Sequence, residues 1–152
     1  MTNYSEIILA IYGITQDPVT KDYIIVLQDG YCEKCGKQFT DIDYKWCKSC
    51  LINDLKNFTS GNEKIDNLVQ EMQLKINKPN DIVFEWIPYN QLNDIKEIGK
   101  NDFVTIYSAI WNGPLVYDES KYEYTRNKYK KITLKYLAYN SQNILNEFLN
   151  KV

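Results

Sequence analysis

Residues 31–50 read YCEKCGKQFTDIDYKWCKSC and hold every cysteine of the chain. Cys32-Glu33-Lys34-Cys35 and Cys47-Lys48-Ser49-Cys50 form two CxxC pairs with eleven residues between them. A CxxC turn presents two thiolates on one side of a tight knuckle, and two such turns complete the tetrahedral thiolate set of a structural zinc site. Gly36 follows the first pair, where a knuckle calls for a positive φ. Cys32, Cys35, Cys47 and Cys50 are therefore the expected ligands of one zinc ion, with no coordination position left for water or substrate. A thioredoxin-like redox motif would leave the second pair unexplained, and an iron–sulfur cluster usually takes another spacing.

Working outward, the chain separates into four stretches. Residues 4–13 and 23–28 are short, β-branched apolar runs around Gln16-Asp17-Pro18-Val19-Thr20-Lys21-Asp22, which is turn chemistry, so 1–28 reads as a hairpin. The cysteine module occupies 29–52. A helical linker follows at 53–80: Ile65, Leu68, Val69, Met72 and Ile76 recur at helical spacing behind the capping stretch Ser60-Gly61-Asn62. Lys75–Asp81 around Pro79 reads as a hinge. Residues 81–152 carry strand-like runs at 95–98, 103–111 and 130–137, a polar-aromatic loop or hairpin extension at 112–129, and an amphipathic C-terminal helix opening at Asn140-Ser141-Gln142. The fold class expected is α+β.

Composition narrows the function. The 152 residues contain no histidine, which removes Ser-His-Asp and Cys-His catalysis and His-ligated zinc chemistry from this chain. The formal charge is −2 and the sequence pI about 5.2, so no global field draws in nucleic acid or an anionic membrane. Residues 29–60 balance five lysines against five acidic residues. Tyr31, Phe39, Tyr44 and Trp46 could stack bases, but covering the metal and packing on the next helix is the simpler use of them. The run Arg126, Lys128, Lys130 and Lys131 reads as a solvated basic loop. Ile7–Ile11 is too short to span a bilayer and lacks a basic flank. The expected compartment is the cytoplasm, with the nucleus as alternative, where four cysteines favour metal over disulfides.

One further stretch carries a resemblance. Ile98-Gly99-Lys100-Asn101-Asp102-Phe103-Val104-Thr105-Ile106-Tyr107 resembles the glycine-rich loop of protein kinases. Gly99 matches the first glycine, Phe103 the aromatic tip, and Ile106 the valine over the adenine. Ile132-Thr133-Leu134-Lys135 looks like the V-A-I-K strand, with Lys135 as the phosphate-binding lysine, and Glu147-Phe148-Leu149 looks like the start of the αC motif. The cysteine module, the 57–76 helix and EWIPYNQLNDIKEIGK (85–100) are similar to the expanded tyrosine-kinase-like kinases of mycorrhizal fungi. IYGITQDPVTKDYIIVLQ (11–28) resembles strands four and five of the same kinases, in permuted order.

The resemblance implies a kinase N-lobe-like antiparallel sheet of five strands with one αC-like helix. Residues 11–28 would join the 130–137 strand in it. It also implies a degenerate ATP site at Gly99, Phe103, Ile106 and Lys135. The second and third loop glycines are Asn101 and Val104, the adenine-capping alanine is Thr133, and the αC glutamate falls at Lys151. No His-Arg-Asp or Asp-Phe-Gly occurs, so no catalytic base and no magnesium-holding aspartate are expected in these residues. The function expected is a catalytically silent, kinase-derived fragment or pseudokinase acting as a zinc-stabilised module for a protein partner. The alternatives are the N-terminal part of an active, ATP-dependent kinase and a zinc-ribbon nucleic-acid adaptor.

Overall fold

The computed structural model describes residues 7–102, 104–136 and 145–146. The chain divides into two compact units, Met1–Leu51 and Ile52–Val152.

In the first unit, β1 (Ile11–Gln16) and β2 (Tyr23–Leu27) pair antiparallel, with a register shift between Ile11 and Gly13. Asp17 closes the turn: its Oδ1 accepts from the amides of Val19 (2.7 Å) and Thr20 (3.1 Å). The Val19 amide, followed by that of Thr20, holds this carboxyl below its ordinary range. Lys21 takes φ 66° so that its amide can donate back to the Asp17 carbonyl. At the other end the hairpin is tied to the cysteine module. The amide of Gln28 donates to the Ala10 carbonyl, and Gln28 Oε1 accepts from the Ala10 amide, which extends the hairpin's own pairing up to the module. Gln38 brackets Ile7 with both amide atoms. Leu9 lies so close over Gly30 that any Cβ there would strike it. The first turn of α1 (Lys48–Leu55) closes the unit.

The second unit contains α2 (Glu63–Leu74), started by Asn62, whose side chain accepts from the amides of Lys64 and Ile65. Val69 is buried, as the helical spacing predicts. Gln73 is also buried, satisfied by donating to the Phe84 carbonyl at 3.1 Å. The expected hinge at Lys75–Asp81 is instead a packed turn. Ile76 and Pro79 are buried, and Asp81 accepts from the amides of Asn77 and Lys78, so apolar burial and a side-chain cap fix the segment.

A 3-10 turn at Tyr89–Gln91 leads into the sheet. Its strands β3 (Leu92–Lys100), β4 (Thr105–Trp111) and β7 (Lys130–Tyr136) run antiparallel in the order β3-β4-β7. Of the loop or hairpin extension expected at 112–129, the structure forms the hairpin, a separate two-stranded ribbon of β5 (Leu115–Asp118) with β6 (Glu123–Arg126). Gly113 precedes it at φ 97°, where a Cβ would collide with the Asn127 carbonyl. On one face of the sheet Ala109 and Trp111 are buried, and Trp111 Nε1 donates to Gln91 Oε1 at 3.1 Å.

The fold is α+β, with small antiparallel sheets and, among the described residues, the two helices α1 and α2. One five-stranded sheet is not what the described strands form: they make sheets of two, three and two. β1 and β2 bond only to each other among the described strands, so this hairpin stands as its own two-stranded sheet. The expected αC-like helix, with Glu147 and Lys151, lies outside the described residues. Of it only Leu145 and Asn146 are seen, in helical conformation.

Candidate metal centre

The four cysteines meet through two different local devices. Cys32 and Cys35 sit on a turn in which the Gly36 amide donates to the Cys32 carbonyl, at φ 73°, and the Cys32 amide donates to the Lys37 carbonyl. The bridge Tyr31↔Gln38 and the Phe39-to-Gly30 hydrogen bond clamp the base of this knuckle. Cys47 follows a second tight bend, Asp41↔Trp46, in which Lys45 adopts φ 48° and Asp41 Oδ1 accepts from the amides of Asp43 and Tyr44. The chain then enters α1, with Thr40 Oγ1 accepting from the Lys48 amide, and Cys50 lies in its first turn. One pair therefore comes from a hairpin knuckle and the other from a helix start.

All four Sγ atoms lie within 4.8 Å of one another. Cys32–Cys50 and Cys35–Cys47 are each 3.6 Å apart. A disulfide needs about 2.05 Å. A tetrahedron with arms of about 2.3 Å has edges of about 3.8 Å, so these spacings fit thiolates around a zinc-sized ion. The cluster could bind a metal and is compatible with structural zinc. Cys32 is buried, Cys47 and Cys50 half-buried, and Cys35 exposed.

The protonation pattern follows from the crowding. Burial pushes the Cys32 thiol up, but the amides of Cys35 and Lys34 and the neighbouring thiols outweigh it and bring it to about 7. Burial and then the thiols around it push Cys50 far up, and burial raises Cys47. The Cys32 thiolate forms readily, whereas those of Cys47 and Cys50 are costly without a cation. A divalent ion would reverse that cost and release protons as it bound.

Trp46 is 1% exposed, the largest fully buried side chain among the described residues. It is core rather than a base-stacking platform. Tyr31 and Tyr44 stay exposed and Phe39 half-buried.

The residues of the expected nucleotide site are brought partly together. Gly99 pairs with Ile106 across β3–β4, and Ile106 pairs with Lys135 across β4–β7, so the three line up across one sheet face. Phe103 lies outside the described residues. The loop tip is closed on itself: the Asn101 amide donates to the Val104 carbonyl, and the Val104 amide donates to Asn101 Oδ1 at 2.9 Å. Two amides at the positions of the missing glycines are thus spent within the turn.

Arg126 corrects the reading of a solvated basic run. It lies in β6, and its guanidinium forks onto Glu85, at 2.7 and 3.0 Å, with a third bond to the Gly113 carbonyl at 3.2 Å. The Glu85 side chain is only 7% exposed. The Glu85 carboxylate raises the Arg126 pKa still further. As the only arginine among seventeen lysines, Arg126 was the available signal. Only arginine offers a planar fork matched to a carboxylate.

No protein-family model matches this chain, and no curated protein or solved structure matches it. No helix among the described residues is long and apolar enough to cross a membrane.

Proposed function

We propose that the chain is a zinc-stapled protein-interaction module whose C-terminal sheet is a kinase-like but catalytically silent scaffold. The observation that carries the first half is the four-thiol cluster, with its 3.6 Å edges and a complete protein ligand set. A filled tetrahedron leaves no site for substrate, so the ion would act by holding residues 30–51 in shape. What it holds in shape includes the anchor of the β1–β2 hairpin, through Gln38 and Gly30. Cytoplasm or nucleus remains the compartment in which reduced thiols would favour this use.

The kinase-like half of the proposal draws support from the register Gly99–Ile106–Lys135 on adjacent strands. Silence draws support from the self-closed tip at Asn101–Val104. Lys135 stands on an exposed part of the sheet, where a single charge contributes about 0–1 kcal/mol.

Metal analysis of purified protein tests the central claim. One zinc per chain is expected, and Cys47→Ser should reduce it to a small fraction. A metal-free protein with residues 30–51 fully ordered would refute it.

A further inference from the structure

The β1–β2 hairpin is exposed on both sides, and its two faces differ in number of apolar residues: Ile24 and Val26, 44% and 42% exposed, lie on one, and five such residues lie on the other. The pairs Ile14↔Ile25, Gln16↔Tyr23 and Ile11↔Leu27 share one face, and Gly13↔Val26 and Thr15↔Ile24 share the other. On the first face Ile11, Ile14, Tyr23, Ile25 and Leu27 are 69%, 70%, 75%, 61% and 39% exposed. Gln16 is its single polar residue, and it has no charge. Single exposed apolar residues are ordinary, but a contiguous set of five marks an interaction surface. A two-stranded hairpin is also marginal in water by itself. Here the cysteine module holds it open to solvent.

We infer that this face packs against the same face of a second copy of the chain, the two hairpins meeting about a two-fold axis near Ile14 and Ile25. This names the partner in the reading above and rests on it. An uncharged face offers no complement to an acidic or basic partner, whereas it is complementary to itself, as an isologous contact requires. The area agrees. At about 200 Å² for each fully exposed large apolar residue, the five leave roughly 600 Å² on each copy. Two such faces would cover about 1,200 Å² in total, the lower end for specific protein contacts. The dimer is therefore a weak, concentration-dependent one. Face-to-face packing is preferred to edge pairing because it is the apolar face, not the strand edge, that water leaves on association.

Sedimentation equilibrium of the zinc-loaded chain tests this. The weight-average mass should rise from 18.0 kDa toward twice that value as concentration increases from the low micromolar range to hundreds of micromolar. Ile14→Lys should hold the protein at the monomer mass. Thr15→Lys, one residue on and on the opposite face, should leave the association unchanged, and both variants should keep one zinc. Ile25→Thr, a β-branched swap that the strand accepts, should weaken association about tenfold, or about 1.4 kcal/mol. A zinc-loaded wild type that stays monomeric overturns the inference, whether the face is covered by another protein or by none, and leaves the metal reading standing. Equal loss of association with Ile14→Lys and Thr15→Lys overturns the face assignment. A wild type without zinc fails at the earlier reading instead.

Discussion

The two units solve the problem of staying folded by different means. Among the described residues of Met1–Leu51, the buried apolar side chains are Cys32, Trp46 and Leu51, and one of these is a ligand candidate. Among the described residues of Ile52–Val152 the buried apolar side chains include Leu55, Val69, Ile76, Pro79, Val83, Ala109 and Trp111, with Gln73 and the Glu85–Arg126 pair satisfied beside them. Chains of about 50 residues rarely bury enough apolar surface to hold a fold, and small modules of this size usually add a metal or disulfides. In the first unit four thiols stand where a larger core would be. The second unit relies on ordinary burial and on one ion pair joining residues 41 positions apart. The difference predicts which treatment damages which half.

The largest expected effect is that of a chelator. Amide exchange at Cys32, Gly36 and Trp46 should accelerate toward the unfolded rate, while β4 and β7 keep their protection. Equal protection in both units after metal removal would erase the contrast.

Acid should act on the same half. Zinc must displace protons from Cys47 and Cys50, both raised, and below about pH 7 from Cys32 as well. Bound metal keeps these thiols deprotonated, so stability from the ion falls as pH falls. The zinc concentration for half loading should rise at least tenfold per unit below about pH 7. A competition titration against a chromophoric chelator measures it, and a flat profile would exclude a thiolate site.

Arg126→Ala strikes the other half. It leaves the Glu85 carboxylate buried without its fork. Removing one partner of a fully buried pair costs about 3–5 kcal/mol, and the 29% exposure of Arg126 lowers this to about 2 kcal/mol. Urea unfolding should lose that much for the second unit with zinc content unchanged. A loss shared by both units would mean that they unfold as one.

The smallest effect is expected from Mg·ATP. Neither unit should melt measurably higher with millimolar nucleotide, since at a Kd of about 1 mM the ligand adds only RT ln 2, about 0.4 kcal/mol, of stability. A saturable micromolar shift abolished by Lys135→Met would replace the silent scaffold with a nucleotide-binding one.

What was legible in the sequence was local. The CxxC spacing marked the four cysteines that come within 4.8 Å, because a metal knuckle is encoded inside four residues and a turn. Asn62 and the spacing through Val69 marked α2, and Asp17-Pro18 marked the hairpin turn, since caps and turns bond amides two or three residues away. The tertiary structure alone decided the rest. It kept β1 and β2 out of the sheet that β7 completes, chose the hairpin over the loop at 112–129, and took Arg126 from a supposed basic loop to Glu85. Short β-branched strands are chemically interchangeable, so which of them pair depends on long-range register and on what each edge has already bonded, information no window of neighbouring residues contains.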